Sequence, residues 1–211
     1  MEGRSRMKDH AVPFPLWSET EPPARPLGLP MCQNRIAVPM WSYAMEVLPP
    51  ARILEIGSYN GAFATALGLH AFMIGAPIDT YDLNPPDERI APIGRALGVT
   101  FHAGDVWGAL PLIEAKIAAP GVSFVLCDGG DKRRELATLA PALKPGDVIA
   151  AHDYDAAHEL DPMIPASDRA WPWSEIRKSD GDAVARAHGL VPWLQDRFDT
   201  AGWLVYRKVV A

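Results

Sequence analysis

The sequence predicts an α/β fold: a mostly parallel seven-stranded sheet with helices on both faces and a C-terminal antiparallel hairpin. Three observations carry that expectation. From Arg52 onward, short apolar runs alternate with longer stretches of helical periodicity, the layout of a parallel sheet with helical crossovers. The last section instead holds two strand-like runs, "LVPWLQDRF" and "GWLVYRKVV", joined by Asp199, Thr200 and Ala201, which read as a closing hairpin. Hydrophobic residues make up 48% of the 211 and charged residues 22%, enough to build one sizeable core in a chain short enough for one domain.

The elements follow in order. Residues 1–36 form a proline-rich arm, most crowded in "AVPFPLWSETEPPARPLGLP", where fixed φ and missing donors favour an extended path over the body. Residues 37–211 form the single domain. A helix is expected near Val38 to Leu48, because Val38, Trp41, Met45 and Leu48 recur at helical spacing before Pro49 and Pro50 stop it. Candidate strands are Arg52 to Ile56, Ile78 to Leu83, Val99 to His102, Ser123 to Cys127 and Asp147 to Ala151. Between them, four helices bury Phe63 and Leu67, then Ile90 and Leu97, then Val106, Leu110, Ile113 and Ile117, then Leu136, Leu139 and Leu143. Pro92 and Pro141 weaken the second and fourth. A polar helix around Glu175 to His188 precedes the hairpin.

Composition excludes several classes. The formal net charge of -6, with no run of Lys and Arg, argues against a nucleic-acid partner. Lys132, Arg133 and Arg134 read as a solvated helix start. Cys32 and Cys127 are too few for a disulfide framework or a four-thiolate zinc site, so a reducing, cytoplasmic setting is expected. No apolar stretch approaches the ~20 residues that span a bilayer, so no membrane partner is expected.

The stretch "ARILEIGSYNGAFATALG", residues 51–68, carries the strongest functional signal. A strand ending near Glu55, a turn through Gly57 to Gly61 and a helix from near Asn60 would set backbone N–H groups and a helix dipole beside a ligand. The glycines would let that ligand touch the backbone. A dinucleotide site is disfavoured, because Tyr59 stands where the second glycine of its fingerprint belongs and Ala62 where the third does. A phosphate-binding loop is disfavoured too, since no Gly-Lys-Ser/Thr closes the turn.

"EIGSYNG" resembles the E-x-G-x-x-x-G signature of class I S-adenosylmethionine-dependent methyltransferases, and the resemblance covers about Arg52 to Lys208. It implies a Rossmann-like methyltransferase fold binding S-adenosyl-L-methionine at Glu55, Gly57, Ser58, Tyr59, Asn60 and Gly61. Asp82, with Leu83 beside it in "IDTYDLN", matches the acid that grips the ribose hydroxyls in that family. A carboxylate can accept both hydroxyl protons. Gly104 and Asp105 in "HAGDV" match the segment that meets the adenine amino group, although Asp105 also suits a helix cap. Asp128 in "FVLCDGG" matches the end of the fourth strand, where it also joins the cofactor residues.

"LCDGGDK" and "VIAAHDYD" end adjacent strands, so Asp128, His152, Asp153 and Asp155 are candidates to meet at the carboxyl edge of the sheet. The layout resembles metal-dependent small-molecule O-methyltransferases and the cephalosporin hydroxylase-type group, where an Asp and a later acidic pair hold magnesium. Here His152 replaces the first acid of that pair. Asp128, His152 and Asp153 are therefore the candidate ligands of a divalent metal, Mg2+ or Mn2+; imidazole suits Mn2+, Fe2+ or Zn2+ better than Mg2+. His152 is equally a candidate general base, with Asp128 as the second catalytic residue.

The expected function is O-methylation of a small-molecule hydroxyl, on a sugar, polyketide or other natural product, with a homo-oligomer allowed. The arm, the segment from His158 to Trp173, and Trp171 with Trp173 are candidates for an acceptor lid. Two alternatives stay open. One is a catalytically silent methyltransferase-like protein that binds a ligand or partner; the other is a metal-dependent hydroxylase-like or hydrolytic enzyme on the same fold.

Overall fold

The computed structural model describes residues 29–34, 36–156, 159 and 174–209. Seven strands form one sheet: β1 (Arg52–Ile56), β2 (Ile78–Asp82), β3 (Val99–Ala103), β4 (Ser123–Cys127), β5 (Val148–His152), β6 (Leu190–Pro192) and β7 (Trp203–Lys208). Their order is β3-β2-β1-β4-β5-β7-β6, with β1 to β5 parallel and β7 antiparallel to both β5 and β6. Helices among the described residues include α1 (Ala37–Val47), α2 (Ala62–Met73), α3 (Ala91–Ala96), α4 (Leu110–Ala118), α5 (Lys132–Leu139), α6 (Lys178–His188) and α7 (Gln195–Phe198).

Strand side chains alternate between two cores, as a period of two requires. Ile53, Phe124, Val148 and Val205 face one side, where Trp41 and Met45 of α1 and Phe63 and Leu67 of α2 cover them. Leu54, Val125, Ile149 and Leu204 face the other, against Ile113 and Ile117 of α4 and Leu136 and Leu139 of α5. Burial on both faces explains why these strands read as continuous apolar runs. Each fully buried Leu or Ile contributes about 1.5–3 kcal/mol by transfer from water.

The closing antiparallel hairpin forms, β6 pairing with β7, but its first run is shorter than the sequence suggests. β6 stops at Pro192, which has no N–H to give to a ladder, and Leu194 turns the chain with φ of 53°. "QDRF" then forms α7 instead of strand. The carboxamide of Gln195 stands in for the missing strand: Nε2 donates to Trp203 O at 2.9 Å, and Oε1 accepts from Val205 N at 2.7 Å.

Smaller differences have local causes. α2 begins at Ala62, two residues after Asn60, because the Asn60 side chain accepts the Ala62 N–H at 2.9 Å. The expected third helix splits into a turn at Val106–Gly108, capped by Asp105, and α4. Pro92 lies in the first turn of α3, where its missing N–H costs nothing. Leu143 falls outside α5, since Pro141 converts the chain to a 3-10 turn at Ala140–Ala142.

Of the arm, residues 29–34 alternate inward and outward, with Leu29, Met31 and Gln33 buried. Residues 1–28 and 35 lie outside the described residues, as do Trp171 and Trp173. No helix among the described residues is long and apolar enough to cross a membrane.

Candidate functional site

Sheet register brings the site together. β1 pairs with β2 so that Ile56 faces Tyr81, which sets Gly57 beside Asp82, and Gly57 N donates to Tyr81 O at 2.7 Å. β2 pairs with β3 so that Asp82 faces Ala103, and Gly104 N donates to Asp82 O at 2.8 Å. β4 and β5 pair Cys127 with Ala151, so Asp128 and His152 leave the sheet side by side. The antiparallel β5–β7 pair puts Trp203 opposite His152, ring centroids 4.8 Å apart.

A hollow of about 230 Å3 opens at this edge, lined by Gly57, Asp82, Leu83, Gly104, Asp105 and Gly129 among others. Trp107 closes one side, with the Arg134 guanidinium 3.8 Å over its ring. Asp82 borders the hollow, and its carboxylate accepts Tyr59 N at 2.8 Å and Asn84 N at 3.0 Å. Asp105 also borders it, and its Oδ1 caps the following turn through Trp107 N at 3.1 Å. The cap reading and the hollow-lining reading thus both hold for Asp105.

The rest of the glycine turn does something different from the expectation. A Cβ on Gly57, at φ of 88°, would sit 2.2 Å from Asp128 O, and one on Gly61 would sit 2.8 Å from the Phe101 ring. Those glycines let the protein's own chain cross closely, more than they admit a ligand. The N–H groups of Gly61 and Ala62 are taken by Ser58 O and by Asn60 Oδ1. Asn60 Nδ2 holds Pro30 O at 2.7 Å. Among the described residues, Ser58, Asn60 and Gly61 therefore build the turn, whereas Gly57 lines the hollow.

Glu55 lies beneath the turn, 1% exposed, and accepts the Thr80 hydroxyl. It does not line the hollow. Burial pushes its carboxyl up to about 8, so it is protonated at neutral pH.

The metal candidates converge. His152 Nδ1 lies 2.9 Å from Asp128 Oδ1 and 3.2 Å from Asp153 Oδ1, and the three donors fall within 4.8 Å of one another. Adjacent ligands of one ion with bonds of about 2.1 Å lie ~3 Å apart, so these residues fit a small divalent cation. One imidazole and two carboxylates suit Mn2+ or Fe2+ better than Mg2+. Asp155 is buried but is not part of this converging set. Burial opposes a charge on His152, but the Asp128 and Asp153 carboxylates outweigh it and hold its pKa above the usual value. Asp153 carries φ of 60°, a left-handed turn that aims its carboxylate back at β5.

Two participants were not legible beforehand. Lys132, expected in solvent, is 6% exposed; its ammonium meets Asp153 Oδ2 at 2.5 Å and Glu175 Oε2 at 2.8 Å. Arg133 and Arg134 do stay at the surface, Arg133 beside Asp180. Gln33 reaches in from the arm: Nε2 donates to Asp128 Oδ2 at 2.6 Å, and Oε1 accepts the Trp203 indole N–H at 3.0 Å.

The architecture is that of the class I S-adenosylmethionine-dependent methyltransferases, with the seven strands in the order 3-2-1-4-5-7-6. CmcI holding Mg and SAM is 16% identical with a TM-score of 0.60, the match covering 88% of this chain and 76% of that one. CmcI with SAH is 16% identical with a TM-score of 0.56, covering 91% and 84%. The SAH-bound methyltransferase PaMTH1 of Podospora anserina is 19% identical with a TM-score of 0.50, covering 84% and 80%. Neither a family model nor a curated relative matches the sequence.

Proposed function

We propose that the protein is an S-adenosylmethionine-dependent O-methyltransferase acting on a small-molecule hydroxyl, on a sugar or polyketide-type natural product, with a divalent metal assisting. One observation carries this reading. The turn after β4 has Asp128 in the acid–histidine cluster and Gly129 in the wall of the hollow, so a nucleoside lying there has its reactive end beside the cluster.

Bound S-adenosylmethionine supplies a sulfonium methyl group. The acceptor oxygen forms its bond to that carbon as the carbon–sulfur bond breaks, leaving a neutral thioether and a proton to be removed. Asp82 borders the hollow, and its carboxylate can accept the ribose hydroxyls. His152, held by Asp128, takes the acceptor's proton or helps to hold the metal. A divalent ion held by Asp128, His152 and Asp153 would lower the acceptor hydroxyl's pKa and orient it. CmcI holding Mg and SAM on a shared fold supports pairing the two ligands.

The test is calorimetry with S-adenosylhomocysteine, followed by transfer of labelled methyl to a hydroxyl-compound panel, before and after chelation and Mn2+ add-back. Expected results are binding, a loss of about ten-fold or more in affinity in Asp82→Ala, and metal-dependent transfer lost in His152→Ala. Binding without transfer to any acceptor would leave only a ligand-binding protein. No binding at millimolar concentration would remove the cofactor assignment itself.

A further inference from the structure

We propose that Gln33 is a positioning residue for the Asp128–His152 pair, fixing which oxygen of Asp128 meets the imidazole and so the geometry of the acid–histidine cluster. The inference rests on the function proposed above. Gln33 is 1% exposed, although it comes from the arm, 95 residues from Asp128 and 119 from His152 in sequence.

Its orientation is chemically determined. An indole nitrogen only donates, so the group 3.0 Å from Trp203 Nε1 must be the Gln33 carbonyl oxygen. The amide nitrogen is then turned toward Asp128, 2.6 Å from Oδ2. That contact caps one carboxylate oxygen and leaves Oδ1 to face His152 Nδ1 at 2.9 Å. The Gln33 amide is 3.4 Å from Nδ1, too far to compete with its shorter bond to Asp128. A relay from Trp203 through Gln33 therefore holds the Asp128 carboxylate in one orientation against the imidazole.

The strap bearing Gln33 is pinned on both sides. Pro30 O is held by Asn60 in the glycine turn, and Asn34 Nδ2 donates to Thr200 O at 3.0 Å. Leu29 and Met31 are buried in the core that contains α1 and α2. Gln33 is thus fixed by its neighbours and does not have to pay for its own ordering when it binds Asp128.

The experiment uses full-length 15N-labelled protein at one pH. It reads the His152 ring nitrogens by long-range proton–nitrogen spectra, with His152→Ala for assignment, and titrates Mn2+ in parallel. Gln33→Leu is expected to shift the His152 ring-nitrogen resonances and to weaken Mn2+ about ten-fold or more, as loss of a partner that orients a ligand does, with S-adenosylhomocysteine affinity unchanged. Trp203→Phe, which removes the orienting donor together with part of a ring packed on His152, should weaken Mn2+ in the same direction with smaller size. Wild-type nitrogen shifts and wild-type Mn2+ affinity in both variants would overturn the proposal. If the wild-type protein takes up no Mn2+, the metal part of the proposed function falls, and the nitrogen spectra alone decide the role of Gln33. If Gln33→Leu does not fold, Trp203→Phe decides it by the same readouts.

Discussion

Nδ1 of His152 lies 2.9 Å from Oδ1 of Asp128, a contact that joins the ends of the neighbouring parallel strands β5 and β4. Asp128→Asn keeps the side-chain shape but removes the charge that steadies a positive imidazole. Folding should survive, while methyl transfer falls about 100-fold or more, the scale of a lost acid–base partner. Single-turnover rates, with circular dichroism as a fold control, check this; an unchanged rate would take the pair out of the chemistry.

Gly57 should tolerate no side chain. Gly57→Ala combines a left-handed φ of 88° with a Cβ 2.2 Å from the Asp128 carbonyl oxygen. Gly75, at φ of 73° with nothing within 4 Å, carries the backbone strain alone. Urea unfolding should show a loss of about 1 kcal/mol for Gly75→Ala and about 3 kcal/mol or more for Gly57→Ala. Equal losses would mean that the crossing of β1 and β4 loops is looser than described.

Glu55 predicts a slope in stability with pH. Its carboxyl stands at 4.5 when unperturbed and is raised to about 8 on folding, chiefly by burial. Between those values the folded chain keeps a proton that the unfolded chain has released, so stability falls as pH rises through that interval. Raising the pH by one within it costs about 1.4 kcal/mol at most. Glu55→Gln has nothing to release, and its urea midpoints from pH 5 to pH 9 should decline less than those of the wild type. Parallel curves would show that Glu55 ionises without penalty.

Lys132 offers a test of charge compensation. Its ammonium sits 2.5 Å from Asp153, both side chains nearly closed to water. Lys132→Met should cost about 3–5 kcal/mol, since it strips a partner from a buried carboxylate. A divalent ion at Asp128, His152 and Asp153 would supply positive charge to the same carboxylate. Mn2+ should therefore raise the melting temperature of the variant more than that of the wild type; an equal or smaller rise in the variant would contradict shared use of Asp153.

The parallel strands were readable in advance because burial on both faces leaves runs such as "RILEI" and "SFVLC" almost wholly apolar. Asp128 and His152 were readable because residues at the ends of adjacent strands share one edge of such a sheet, and Asp82 through the methyltransferase resemblance of "IDTYDLN". Gln33 was not, since nothing near it in the arm marks a polar side chain whose partners come 95 and 119 residues later. Lys132 misled because local charge density says nothing about an acid arriving from another strand. "WLQDRF" misled because Gln195 meets strand hydrogen bonds with its side chain, which no periodicity in backbone burial records.

That substitution of carboxamide for strand shapes one rim of the molecule. β6 offers three residues, the last a proline, and beyond it the donors and acceptors of β7 are already answered by Trp193 and Gln195. A stray β-segment from another chain finds only a short, interrupted template there, which guards this border against edge-to-edge aggregation.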